Sequence, residues 1–130
     1  MCEPVKEKTL VLSTLPKTWI LDLDGTIVKH NGFKLDGHDT FLPGAKEFLR
    51  ALPSYDMVVF LTSREPCFAL QTEKFLEENG VRYNHIIYGA PYGERILVND
   101  DKPSGLKMAY AMSVKRDEPV FSCVDVDESL

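Results

Sequence analysis

Residues 19–28 read WILDLDGTIV. Thr18 to Leu21 form a short apolar run of strand type, and the run ends on Asp22 and Asp24, with Gly25 and Thr26 directly after. Like charges at the end of a buried strand repel, so the pair calls for a cation or a shared proton. A spacing of two sends both side chains to the same side of an extended chain. Gly25 lets the backbone turn sharply behind them. Oxygen donors grouped in this way suit Mg2+, which takes one or two carboxylates, keeps several waters and is completed by substrate phosphate. Asp22, ionised beside such a metal, has the chemistry of a nucleophile toward phosphorus. Asp24 is then the proton carrier. Two close carboxylates do not both ionise freely, so one can hold a proton for the leaving oxygen and later activate water. Thr26 caps the turn.

Outward from this stretch, strand-like and helix-like runs alternate. PGAKEFLRAL places Ala45, Phe48, Leu49 and Leu52 on one helical face, with Pro43 and Gly44 before it and Pro53 after. MVVFLTS is a continuous apolar run of strand length, and EPCFALQTEKFLEENG is helical, with Phe68, Thr72, Phe75 and Leu76 on one face and Gly80 as its stop. YNHIIYG and RILVND read as further strands, PSGLKMAYAMSV as a third helix, and PVFSCVDV as a last strand. LVL near the N-terminus reads as an edge strand or a loose arm. Uninterrupted apolar strands separated by helices predict an α/β fold with a mainly parallel sheet and helices on both faces.

Composition removes several function classes. A length of 130 residues fits one domain with a real core. A net charge of -5 without a Lys/Arg run argues against nucleic-acid binding. No apolar stretch approaches the roughly 20 residues of a membrane span, and the acidic start of MCEPVKEK does not resemble a signal peptide. Cys2, Cys67 and Cys123 form neither a zinc pattern nor a disulfide framework, which predicts free thiols in a reducing, cytoplasmic setting. The sequence favours neither a monomer nor a homo-oligomer.

In parallel sheets, ligands sit beyond the carboxyl ends of the strands. Those ends carry Asp22 and Asp24, then Thr62 and Ser63, then Asp100 and Asp101 with Lys102 next to them. A phosphoreceiver domain gathers similar residues, but it would place its phosphoacceptor in mid-chain, after an early acidic pair, and that order is not met. No GxGxxG follows the first strand, which disfavours a dinucleotide site. Gly25 falls too early for an EF-hand loop.

At these residues the chain resembles the haloacid dehalogenase-like (HAD) phosphatase superfamily, small capless type. DLDGT matches that family's first motif at Asp22, Asp24, Gly25 and Thr26, VVFLTS its second, and ILVNDD its acidic motif. The resemblance spans about residues 18–113 and implies a Rossmann-like three-layer fold, with residues 18–130 as the core and 1–17 as an arm or edge strand. It implies a Mg2+-dependent phosphatase that acts on a phosphate monoester. Thr62 would bind phosphate. Asp22, the Asp24 main-chain carbonyl and Asp100 would hold the metal, with Asp101 nearby. The gaps after Thr26 and Thr62 are too short for a cap domain, which implies an open site. Capless relatives with a KPSGLK-like segment are associated with bacterial sugar-nucleotide and capsule pathways, which implies a phosphorylated sugar or a derivative. Substrate contacts are expected from Gly25, Thr26, Ser63 and Arg64, and from Lys29, His30, Lys34 and His38 in the loop 29–40. The family also uses a lysine to hold nucleophile and phosphate together, and Ala90 stands where it is expected. Lys102 is the first replacement by position and chemistry, and Arg64 the second; Lys46 and Lys107 read as solvated. The alternative reading is a scaffold module on the same fold that has lost catalysis.

Overall fold

The computed structural model describes residues 9–130, so Cys2 and the first part of the expected N-terminal arm lie outside the described residues. The chain is a small α/β protein with parallel strands in open sheets. It divides into two units, residues 16–91 with 114–121, and residues 9–15 with 92–113 and 122–130.

The first unit holds β2 (Thr18–Leu21), β3 (Met57–Leu61) and β4 (His85–Ile87) in the order β2-β3-β4. Trp19 pairs with Val58, Leu21 with Phe60, and Phe60 with Ile86. Alternation along these strands sends that set of side chains to the core. Helices α2 (Ala45–Ala51) and α3 (Ala69–Glu78) supply the other side, through Ala45, Phe48 and Leu49 and through Phe75 and Leu76. A one-turn helix α1 (Gly32–Leu35) lies in the loop after β2, and a 3₁₀ turn, Pro66–Phe68, leads into α3. Phe121, from the segment that returns to this unit, stacks on Phe48 at 4.5 Å.

The opposite face of this sheet leaves Ile20 and Ile87 each 52% exposed and Met57 41% exposed. Val59, on that same face of the central strand, is 9% exposed. Asp56 sets the register between β2 and β3. It is 2% exposed and accepts from the Lys17 N–H and the Trp19 indole N–H, each at 2.9 Å. A one-residue slip would break both bonds and turn the apolar side chains outward.

The second unit pairs β1 (Thr9–Leu12) with β5 (Cys123–Val126) in parallel, Leu10 opposite Val124. LVL thus belongs to a strand, as does the predicted segment around Cys123. The expected strand RILVND and helix PSGLKMAYAMSV do not form: residues 94–114 contain no strand or helix. Ile96 and Val98 are 80% and 89% exposed, and strand propensity without a ladder partner does not make a strand. At the start of the expected helix the chain closes a tight turn. Lys102 N–H donates to the Leu106 carbonyl at 2.9 Å, and Gly105 N–H to the Lys102 carbonyl at 2.8 Å. Gly105 has φ +92, which takes the backbone out of the right-handed helical region where the first turn would begin. Among the described residues no helix is long and apolar enough to cross a membrane, and Cys67 is an exposed free thiol.

Two measurements check this packing. Asp56→Ala is expected to lower stability by about 3 kcal/mol, since two donors lose a charged acceptor; urea unfolding followed at Trp19, the chain's one tryptophan, reads it directly. An unchanged midpoint would remove Asp56 from the register argument. Tyr83 is pushed up to about 12 by burial and by its hydrogen bond to Glu77 at 2.8 Å. An unfolded tyrosine ionises near 10, so the stabilisation is complete below that pH and is lost as pH rises toward about 12. The unfolding midpoint should fall more steeply over that window in the native chain than in Tyr83→Phe.

Candidate active site

The site begins where β2 ends. Leu23 is 1% exposed and enters the core, so Asp22 and Asp24 on either side of it point away from the core together. The chain then winds tightly: the Leu23 carbonyl accepts from the N–H groups of Thr26, Ile27 and Val28 at 3.2, 2.9 and 3.1 Å. Gly25 makes this possible with φ +84. The Thr26 hydroxyl donates to Asp22 Oδ2 at 3.1 Å, so Thr26 orients the nucleophile candidate as well as closing the turn.

Asp24 is held by Arg64, three residues beyond β3. Arg64 Nε donates to Asp24 Oδ2 and Nη2 to Asp24 Oδ1, each at 3.0 Å. The same guanidinium donates to Asp39 through Nη1 at 3.0 Å and Nη2 at 2.7 Å, and to the Thr72 hydroxyl through Nη1 at 3.0 Å. Arginine has five N–H donors, and these five bonds use all of them. The Thr72 hydroxyl in turn donates to the Phe68 carbonyl at 2.8 Å. The flat face of the guanidinium lies 4.0 Å from the Phe33 ring centroid, in cation–π contact. Arg64 and Asp39 side chains are each 2% exposed. Burial alone would favour a neutral guanidinium, but the hydrogen bonds to Asp39 and Asp24 and their charges outweigh it and hold Arg64 more firmly charged than a free arginine. Asn31 N–H adds a weaker contact to Asp24 Oδ1 at 3.3 Å.

The remaining expected residues are distributed as follows. Thr62 continues β3, its N–H donating to the Ile87 carbonyl at 2.9 Å; it is 1% exposed, and its hydroxyl oxygen accepts from Arg64 N–H at 3.1 Å. Ser63 donates to the Pro91 carbonyl at 3.4 Å. Lys29 is engaged inside its own loop, paired with Asp36 at 2.9 Å. His30 is fixed through its main chain, its N–H donating to Asp117 Oδ1 at 2.7 Å, and its Nδ1 is shielded from water without a hydrogen-bond partner. The structure thus brings Asp22, Asp24, Gly25, Thr26, Thr62 and Arg64 to the neighbouring ends of β2 and β3. Asp100, Asp101 and Lys102 belong to the second unit and are exposed there. Arg64, expected to meet substrate, instead meets Asp24 and Asp39.

For a divalent cation, this unit offers the Asp22 carboxylate and the Asp24 main-chain carbonyl, which accepts none of the hydrogen bonds of its loop. Among the described residues no three acidic, histidine or cysteine side chains gather into a metal-holding group. The donors fit Mg2+, which needs few protein ligands when water and phosphate complete its shell. Sequence reasoning missed Asp39 and Thr72. They stand 25 positions before and 8 after Arg64, so no local spacing joins them; the only signal was a charged residue directly after a buried strand.

No family model matches the chain, and no curated protein matches it. Among solved structures, a chain of the Pnkp1/Rnl/Hen1 complex is similar at 26% identity and a TM-score of 0.50, over 72% of this chain and 36% of that one. This chain therefore spans about a third of that protein's length.

Asp39→Ala is expected to destabilise the fold by about 3–5 kcal/mol, because it strands a buried guanidinium with donors unpaired. Arg64→Lys should not restore it, since a point charge cannot meet three partners at fixed angles. Denaturant unfolding of the three proteins checks both statements, and equal midpoints would remove the clamp from its structural role.

Proposed function

We propose that the protein is a Mg2+-dependent phosphatase of HAD type, Rossmann-like and capless, that hydrolyses a phosphate monoester through an aspartyl-phosphate on Asp22. The observation that carries this reading is the double hydrogen bond between Asp24 of DLDGT and Arg64 of LTSRE. It joins two sequence motifs at the carboxyl ends of adjacent parallel strands, where such sheets bind ligands.

In this reading Asp22, oriented by Thr26, attacks phosphorus. A bond from its carboxylate oxygen to phosphorus forms as the ester P–O bond breaks, and Asp24 gives the leaving oxygen a proton. Asp24, now a carboxylate, takes a proton from water; the water attacks phosphorus, inorganic phosphate leaves and Asp22 is regenerated. Each Asp24 oxygen has two lone pairs, so Arg64 can hold the group in place while the remaining lone pairs handle the proton. Bound Mg2+ would supply charge neutralisation for nucleophile and phosphate, held here by Asp22 and the Asp24 carbonyl. The substrate is a phosphorylated small molecule; a sugar phosphate or a sugar-nucleotide intermediate is the class we favour, in the cytoplasm.

One observation favours the scaffold alternative. Both Asp24 oxygens are engaged by Arg64 and Thr62 is buried, so the acid and the phosphate-binding hydroxyl are both drawn into the protein's own bonding. Turnover decides between the two. A panel of sugar phosphates, nucleotides and an aryl phosphate with Mg2+ should yield activity that a chelator abolishes. Asp22→Asn should show no turnover, and Asp24→Asn should lose roughly 100- to 10,000-fold in kcat. Beryllium fluoride should label Asp22. A fully active Asp22→Asn protein, or an adduct elsewhere, would sink the assignment, and an inert panel would leave the scaffold reading.

A further inference from the structure

The carboxylates of Asp24 and Asp39 share the one guanidinium of Arg64, and an incoming phosphate adds negative charge. Arg64 has no donor left for it, and Lys29 is paired with Asp36. Lys34 of the same unit is engaged over the Phe33 and Phe68 rings, and Arg116 lies directly against the first motif. Arg116 sits in a tight turn in which Glu118 N–H donates to the Lys115 carbonyl at 3.1 Å. That turn is bonded directly to the first motif: Asp117 N–H donates to the Gly25 carbonyl at 2.9 Å, and the Asp117 carboxylate accepts from His30 N–H at 2.7 Å. Asp117 adopts φ +63, a conformation that a non-glycine residue keeps only when its surroundings impose it. The stem of Arg116 lies where a side chain on residue 25 would stand: a Cβ there would be 2.9 Å from Arg116 Cγ and 3.7 Å from its Nε. Gly25 therefore serves a second purpose, giving an arginine direct passage along the backbone next to Asp24. Arg116 is exposed and forms no ion pair among the described residues.

We propose that Arg116 is a substrate-binding residue, whose guanidinium takes the phosphate oxygens of the ester at the mouth of the Asp22–Thr26 loop, in place of the lysine that Ala90 does not supply. The inference rests on the phosphatase reading for the identity of the ester. The anion contact is measurable without turnover.

The test uses the full chain and the variants Arg116→Ala, Arg116→Lys and Lys115→Ala, with circular dichroism to verify folding. KM and kcat are measured on whichever phosphate ester the wild type hydrolyses, and inorganic phosphate binding by calorimetry. Loss of a charge-assisted contact should weaken phosphate binding and raise KM roughly 10- to 100-fold in Arg116→Ala. Arg116→Lys should recover part of this, since a point charge replaces a fork. Lys115→Ala, which removes a neighbouring surface charge and its exposed ion pair with Glu118, should leave both within about twofold. Turnover with KM and phosphate affinity insensitive to Arg116 would overturn the inference and leave the phosphatase reading standing. Arg116-dependent phosphate binding without hydrolysis of any ester would do the reverse. Equal effects of Lys115→Ala and Arg116→Ala would mean a diffuse field, and a wild type that binds no phosphate would mean no anion site; each overturns it. If Arg116→Ala does not fold, Arg116→Gln takes its place in both measurements.

Discussion

A single buried guanidinium organises the site. Arg64 reaches acceptors from the loop after β2, from the loop ahead of α2 and from α3, and rests on a ring from α1. The donors radiate in one plane at fixed angles, so satisfying all of them fixes the distance and rotation of each partner at once. A buried charge with one donor unmet is heavily penalised, which makes the arrangement nearly all-or-none. The sheet sets where strand ends fall, but this node decides how the loops beyond those ends are aimed. Asp24 acquires its orientation from Asp39, a residue it does not touch, through the guanidinium between them.

The same node leaves an electrostatic remainder. Asp24 and Asp39 share that one positive group, so the cluster keeps a net negative charge that a hard cation suits. On the proposed phosphatase reading, an acidic protein of net charge -5 has to concentrate its positive charge locally. Arg116 can approach the first motif because the backbone carries no side chain at position 25.

What could be read in advance follows from which interactions are local. β2, β3 and β4 were legible because strands of a parallel sheet are uninterrupted apolar runs, and α2 and α3 because their buried residues recur at helical spacing. Asp22 and Asp24 were legible because two acids and a glycine in sequence have few other uses at a strand end. Residues 95–113 were misjudged because apolar count and helical spacing outweighed a single turn: Gly105 in a left-handed conformation diverts the chain just where the helix was expected. Asp39 was not legible at all, since an aspartate in a polar loop looks like a turn residue until the arginine it neutralises is located. Arg64 was noticed for its place after Thr62, which suggested a ligand; its pairing with Asp24 and Asp39 as an internal counter-ion was not legible.

The unit that carries the site is discontinuous along the chain: residues 114–121 return to it after an excursion through the other unit. Synthesis runs from the N-terminus at roughly 5–20 residues per second, so the sheet, α2, α3 and the arginine clamp can all emerge before the piece that lies over Gly25 exists. For some seconds the nascent chain has a formed acidic loop without the turn that covers it. Maturation of the site is therefore the last event in building this unit, governed by closure of a contact about ninety positions long (Asp117 to Gly25). The timing separates the assembly of the scaffold from the arrival of the turn bonded to Gly25.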